Sequence, residues 1–312
     1  ADFDTESAPD TEASFKLTFV EHAKEDKDGE LTEVETSFAG VTMNGQPVEV
    51  QEKDGVKYVT FTGNETTFEK LQDGIYELEE TAAPNGYTVV STFKFVVENG
   101  VVTELIDVET DGDVQVKTTD GDDENGYAGI VVLDKKSEIS VSKQALNGDT
   151  AVELTDEAEY ELRGENLVGV LVNGEEITED KVVDGVYTFT SNEVTFVGLK
   201  DGDYTLTEIA APDGFTVVSE FGFTIENGVI DEESITKYST GDVVMTETGI
   251  TVTDNISEIE IKKTDLAKAE IADTAEFRLY AELNEGENPL GGEHLRADGE
   301  AVTVKASETD EE

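Results

Sequence analysis

Residues 74–87 read GIYELEETAAPNGY, and residues 202–215 read GDYTLTEIAAPDGF. The two stretches align without a gap, 128 residues apart. The match continues outward. VVSTFKFVVENGVV at 89–102 answers VVSEFGFTIENGVI at 217–230, VTMNG at 41–45 answers VLVNG at 170–174, and GDV recurs at 112–114 and 241–243. One domain type is therefore written twice. A third copy begins: ISVSK at 139–143 matches IEIKK at 259–263, and DEAEYELRG at 156–164 matches DTAEFRLYA at 273–281. The first copy has TEASFKLTF at 11–19 in that second place, with no ISVSK-like run before it.

The segments between these landmarks read as strands. VKYVTF, YTFTS, TFKFVV, FGFTI and GITVTD are short and rich in Val, Thr, Ile and aromatics, the residues that suit a pleated, half-buried surface. EISVSK alternates, with Ile139, Val141 and Lys143 on one face. Asn44-Gly45, Asn99-Gly100, Asn173-Gly174 and Asn227-Gly228 mark tight turns that need positive φ. Helical periodicity appears only briefly, at 265–271. The reading is all-β: tandem sandwiches, with a first copy at 1–134 lacking its opening strand, a complete copy at 135–255, and the start of a third at 256–312. The charged segment 21–33 and the acidic segment 109–126 read as loops or linkers.

Composition narrows the function. Among 312 residues, 74 are acidic and 21 basic, a formal charge of −53. Such a charge repels phosphate, so nucleic-acid binding and attachment to anionic lipid are not expected. No run approaches the length of apolar residues that spans a membrane, so membrane insertion is not expected. The first ten residues carry no signal-peptide pattern and the last ten no anchor. With no Cys, there are no disulfides, thiolate nucleophiles or Cys metal sites. Asp26, Asp28 and Glu30 lack the offsets and closing Glu of a calcium loop, and His22 and His294 have no partner pattern. No cofactor and no metal are expected.

The motif Y-x-L-x-E-x-x-A-P-x-G-Y/F stands as Tyr76, Leu78, Glu80, Ala83, Pro84, Gly86 and Tyr87, and again as Tyr204, Leu206, Glu208, Ala211, Pro212, Gly214 and Phe215. With the opening strand and the A-E-Y/F-x-L run, it resembles the B-type repeat domains of Gram-positive adhesins and the related domains of pilins (the Cna-B or SpaA-like group). The resemblance covers essentially the whole chain. It implies tandem prealbumin-like, reverse immunoglobulin-like β-sandwiches at the bacterial cell surface, anchored to the wall in the full-length protein.

It also implies chemistry. Such domains often weld their first and last strands with a spontaneous isopeptide bond between Lys and Asn or Asp, promoted by the motif Glu. Residue by residue, the Lys corresponds to Lys143 and the Glu to Glu208. The last strand, GITVTDN, offers two partners. Period 2 puts Ile250, Val252 and Asp254 on one face and Thr251, Thr253 and Asn255 on the other, which favours Asp254 with Asn255 as the alternative. The first copy repeats the parity as Ile130, Val132 and Asp134. A Lys and two carboxyls on inner faces are costly unless they neutralise one another, and burial disfavours their charged forms, the condition for an amine to attack an acid. The plain alternative is a strand-edge lysine paired with Glu208.

The other copies hold partial sites. The first keeps Glu80 and Asp134 without an opening Lys, and Lys16 between Phe15 and Leu17 is expected to face water. The third offers Lys263. Three functions compete: a stalk or shaft of bonded repeats whose partners are neighbouring repeats of the same protein, a module binding a host surface or matrix protein directly, and an enzyme. With 74 acidic residues, carboxylate pairs are uninformative, and no nucleophile triad, phosphate loop or zinc pattern is present. The sequence favours the stalk and argues against an enzyme, autocatalytic cross-linking apart.

Overall fold

A computed structural model describes residues 11–21, 38–106, 108, 114–118, 127–218, 220–237, 242–258, 296–297 and 300–301. Strands dominate, and the one helix among these residues is the short 3-10 turn Glu179–Lys181. Lys263, the 21–33 loop beyond Glu21, the 265–271 periodicity and both histidines lie outside the described residues.

The second copy is two sheets face to face. One orders Val182–Val183, Val186–Thr190, Glu159–Arg163, Gly202–Ala210, Phe221–Glu226 and Val229–Lys237, all antiparallel. In the other, the opening strand Glu138–Asn147 lies between Glu193–Val197, antiparallel, and the last strand Gly249–Asn255, parallel. Asp242–Thr246 then closes the edge beside the last strand. First and last strands of the copy are thus direct neighbours, although 109 residues separate the paired Lys143 and Val252. Alternation puts Ile139, Val141, Leu162, Phe196, Leu206, Phe221, Ile250 and Val252 into one core.

The first copy reproduces the first of these sheets. Gln51–Lys53, Val56–Thr62, Ser14–Glu21, Gly74–Ala82, Phe93–Glu98 and Val101–Ile106 follow in the same order. Its own core gathers around Leu17, Tyr76, Phe93 and Phe95, where Tyr76 and Phe95 stack with ring centroids 5.5 Å apart. Lys16 points outward, as expected, and its Nζ donates to Glu79 Oε2 at 2.7 Å.

One expectation is corrected. The segment 109–126 is not all linker, because Val114–Thr118 forms a strand antiparallel to Tyr127–Val132. The alternation Val114, Gln115, Val116, Lys117 is a strand signal inside an acidic run, and Val114 is buried against the core. The Asn-Gly turns stand as read: Asn44, Asn99, Asn173 and Asn227 all have φ near +50°, each followed by a positive-φ glycine.

The copies meet through a short, hydrogen-bonded joint. Lys135–Lys136 pairs with Tyr87–Thr88 of the first motif. Ser137 is fully buried; its N–H donates to Gly86 O at 2.8 Å, its hydroxyl to Leu199 O at 2.7 Å, and its carbonyl accepts from Gly198 N–H at 2.8 Å. The pattern recurs after the second copy, where Ser257 N–H donates to Gly214 O at 2.8 Å.

Gly228 sits at this joint. A Cβ there would lie 2.3 Å from the Tyr87 carbonyl oxygen, whereas one at Gly100, the same turn in the first copy, would meet nothing within 4 Å. Both have φ near +80°, so alanine costs each turn about 1–2 kcal/mol of backbone strain. The difference between the two variants isolates the joint. Gly228→Ala should widen the distribution of shapes in small-angle scattering and Gly100→Ala should not; identical profiles would contradict a tight joint.

Candidate functional site

The site forms where first strand, last strand and motif strand converge. Ile139, Val141, Lys143 and Ala145 share the inner face of the opening strand, and Ile250, Val252 and Asp254 that of the last. The parallel register sets Lys143 beside Val252 and Ala145 beside Asp254. Ala145, fully buried, is too small to fill the space before Asp254. The long Lys143 side chain can therefore run two residues forward along the strand to the carboxylate. Its Nζ donates to Asp254 Oδ1 in a very short contact.

Glu208 comes from the facing sheet. A register shift between Glu159 and Tyr160 precedes the pair Tyr160–Glu208, and Glu208 Oε1 stands 2.6 Å from Lys143 Nζ. The other oxygen, Oε2, accepts the Val218 N–H at 2.6 Å. All three functional side chains are buried, with Lys143 at 8%, Glu208 at 2% and Asp254 at 0% relative exposure. The Tyr160 ring covers the amine, 5.9 Å from Nζ to centroid. Asn255, the alternative partner, is exposed, and its carbonyl accepts the Thr216 N–H at 2.9 Å.

Burial pushes the Glu208 and Asp254 carboxyls above their usual range, while Lys143 holds both partly down. One ammonium between two carboxylates leaves a net negative charge in a dry core, so the low-energy state retains one proton on the carboxyl pair. Asp254 Oδ2 is buried, and the Asp254 carboxyl also interacts with Glu208, which suits an O–H that leaves. The arrangement is an amine in contact with a carboxyl and an acid beside both.

Two contributors escaped the sequence reading. The Val218 amide that orients Glu208 lies ten residues beyond it, and Val90 stands ten beyond Glu80 and donates to Glu80 Oε2 at 2.7 Å. The shared VVS run at 89–91 and 217–219 carried that signal. Tyr160 stood in the sequence only as the aromatic of the DEAEYELRG run.

In the first copy Asp134 lies near enough to Glu80 to act on it electrostatically, and among the described residues no amine is recorded beside the pair. Glu80 is 8% exposed and its Oε1 has no hydrogen-bond partner. Burial pushes Glu80 up to about 7, with the nearby Asp134 adding to the rise, and burial pushes Asp134 up to about 6.

The family model described as "SpaA: Prealbumin-like fold domain" matches residues 11–111 and again 112–239. The chain belongs to the SpaA prealbumin-like family. It carries the prealbumin-like fold domain of that family twice in tandem. No curated protein gives a significant match. Among solved structures, the C-terminal fragment of the pilus adhesin SpaC from Lactobacillus rhamnosus GG is similar at 16% identity and a TM-score of 0.31, over 80% of this chain and 90% of that one. The minor pilin GBS52 of Streptococcus agalactiae is similar at 18% identity and a TM-score of 0.27, over 83% of this chain and 88% of that one. Against a longer SpaC structure the identity is 16% and the TM-score 0.29, with 78% of this chain and 29% of that one covered. Among the described residues, no helix is long and apolar enough to cross a membrane.

The carboxyl pair of the first copy gives a pH dependence. Unfolded carboxyls titrate near about 4, below the folded values of about 7 for Glu80 and about 6 for Asp134. The folded copy thus binds more protons than the unfolded chain. The resulting stabilisation is complete below about pH 4 and is lost as pH rises through about 6 and then about 7. Calorimetry should show the melting temperature of the first copy falling between about pH 5 and pH 8. Glu80→Gln, neutral throughout and still able to accept from Val90, should flatten that fall. Equal slopes in the two proteins would contradict the assignment.

Proposed function

We propose that the second copy welds its first and last strands through an amide between Lys143 Nζ and Asp254 Cγ, and that the chain is a segment of a surface stalk or pilus shaft. The observation that carries the reading is the buried contact of Lys143 with Asp254 while Glu208 stands 2.6 Å from the same nitrogen. Geometry comes first in such chemistry, and the amine and carbonyl carbon need only a short approach.

The step balances without a cofactor. Lys143 gives a proton to Glu208, and the neutral amine attacks Asp254 Cγ. Glu208 returns a proton to the departing oxygen, so one N–C bond forms, one C–O bond breaks and water leaves. Burial favours the neutral form of the two carboxyls, so Asp254 meets the amine as an acid. Asn255 does not share the pocket.

The stalk reading draws on placement. The bonded strands are the first and last of one copy, so a pull applied at its two ends meets a covalent bond before the sandwich core. Lys143 and Asp254 lie 111 residues apart, and closing a loop of that length should stabilise by about 4–5 kcal/mol on the chain-entropy account used for disulfides. A chain without Cys gains a staple indifferent to reductants. The organisation we propose is a first copy over 1–134, a second over 135–255 and the beginning of a third from 256, with Lys263 in the place of Lys143. Short joints such as that at Ser137 restrict bending, and a charge of −53 opposes side-by-side collapse.

Intact mass tests the bond. The purified chain should weigh about 18 Da less than its sequence mass, one water lost. Glu208→Ala should restore the full mass and lower the melting temperature of the second copy, and Glu80→Ala should leave the deficit unchanged. A wild-type chain of full sequence mass would overturn the bond; a deficit of about 17 Da would move it to Asn255, with ammonia released.

A further inference from the structure

Four Asn-Gly pairs form two-residue hairpin turns of one conformation. Asn44, Asn99, Asn173 and Asn227 have φ between 49° and 52°, and the residues flanking each pair are partners across the hairpin. Backbone geometry therefore does not distinguish the four, but their surroundings do. The pairs at 85–86 and 147–148 lack the positive φ at Asn and stand outside the comparison.

Three of the turns are braced. Asn44 Oδ1 accepts the Thr67 N–H at 2.9 Å, and the Asn44 N–H donates to the Thr67 carbonyl at 2.9 Å. Asn173 holds Thr195 in the same way, at 2.8 Å and 2.9 Å. At 227–228 the brace is a carboxylate: Asp201 Oδ2 accepts the Asn227 N–H at 3.0 Å, and Oδ1 accepts the Gly228 N–H at 3.1 Å. Gly228 is also buried. Asn99 and Gly100 are exposed, and a Cβ on Gly100 would meet nothing within 4 Å. Asp73 stands where the second copy has Asp201. Among the described residues, however, no hydrogen bond reaches the Asn99 side chain or the Gly100 N–H.

We propose that Asn99 is a site of spontaneous deamidation, the preferred one among the four turns. The Gly100 backbone nitrogen attacks Asn99 Cγ. One N–C bond forms, the bond from Cγ to the side-chain nitrogen breaks, and that nitrogen leaves as ammonia with the proton given up by Gly100. Solvent water then opens the cyclic imide at either carbonyl, so amide plus water becomes aspartate or isoaspartate plus ammonia. The attack needs a side chain free to turn onto the next residue and a nitrogen free to lose its proton. Thr67 and Thr195 hold the side chain at Asn44 and Asn173. Asp201 holds the nitrogen at Gly228, and its carboxylate disfavours an anion there. Among the described residues nothing restrains either group at 99–100. An isoaspartate would add a methylene to the backbone inside a turn whose length sets the Glu98–Val101 register.

Ageing the full chain at mildly alkaline pH, followed by tryptic peptide mapping with fragmentation, reads all four sites in one sample. Residues 28–53, 95–117, 164–181 and 201–237 carry Asn44, Asn99, Asn173 and Asn227 in turn, and conversion adds about 1 Da to a peptide. Asn99 should convert about tenfold or more faster than Asn227, the effect of one charge-assisted hydrogen bond that must break before attack. Asn44 and Asn173 should also lag behind it. In denaturant the four rates should draw together, because the difference lies in the fold and not in the Asn-Gly pair. Asp201→Ala should speed conversion at Asn227 and leave Asn99 unchanged. Native rates in which Asn99 does not lead, a lead undiminished in denaturant, or an Asn227 rate unmoved by Asp201→Ala would overturn the proposal.

Discussion

A lysine ammonium enclosed by two carboxyls in an apolar core is the constraint on which the second copy turns. Taken singly, each of Lys143, Glu208 and Asp254 would cost several kcal/mol to bury. Together they hold one another, and the fold is arranged to bring them together: parallel register, a small residue at Ala145, a register shift that aims Glu208 inward, and a Val218 amide that fixes it. Removing Lys143 would leave two buried carboxyls without a counter-charge. The two copies differ at this point. With the lysine-bearing strand, the second copy is two sheets around a sealed core; among the described residues of the first copy the corresponding flanking pieces are not joined by a strand, and Ile130 and Val132 are half-buried.

Much of this was legible in the sequence, for physical reasons. Strand period is 2, so parity alone placed Lys143 and Asp254 on the core side and Asn255 on the other. Internal repetition supplied the rest, since a motif written twice fixes which residues correspond. Where the reading fell short, the cause was pairing between distant segments. Val114–Thr118 was hidden because acidic neighbours outweighed a two-valine alternation. The burial of Ser137 between two copies depends on Gly86 and Gly198, neither near it in the chain. That the described residues of the first copy form its second sheet as two pieces follows from which strands find partners, and local pattern carries no such information.

The acidity takes a definite place in this picture. Charge is spread over outward-facing positions such as Glu161, Glu175 and Glu226, while the inner faces hold few ionisable groups beyond the two clusters. A coat of one sign keeps sandwich edges from pairing with one another. It also makes the lysine informative: in a chain with 74 acidic side chains, a buried carboxyl pair is notable only where an amine meets it.

The central claim, one covalent bond between Lys143 and Asp254, is tested most directly by tryptic digestion and tandem mass spectrometry. A joined Lys143 resists cleavage, so residues 137–163 and 238–262 should be recovered as a single branched peptide whose fragments place the branch at Lys143 and Asp254. Recovery of three linear peptides, 137–143, 144–163 and 238–262, would contradict the account.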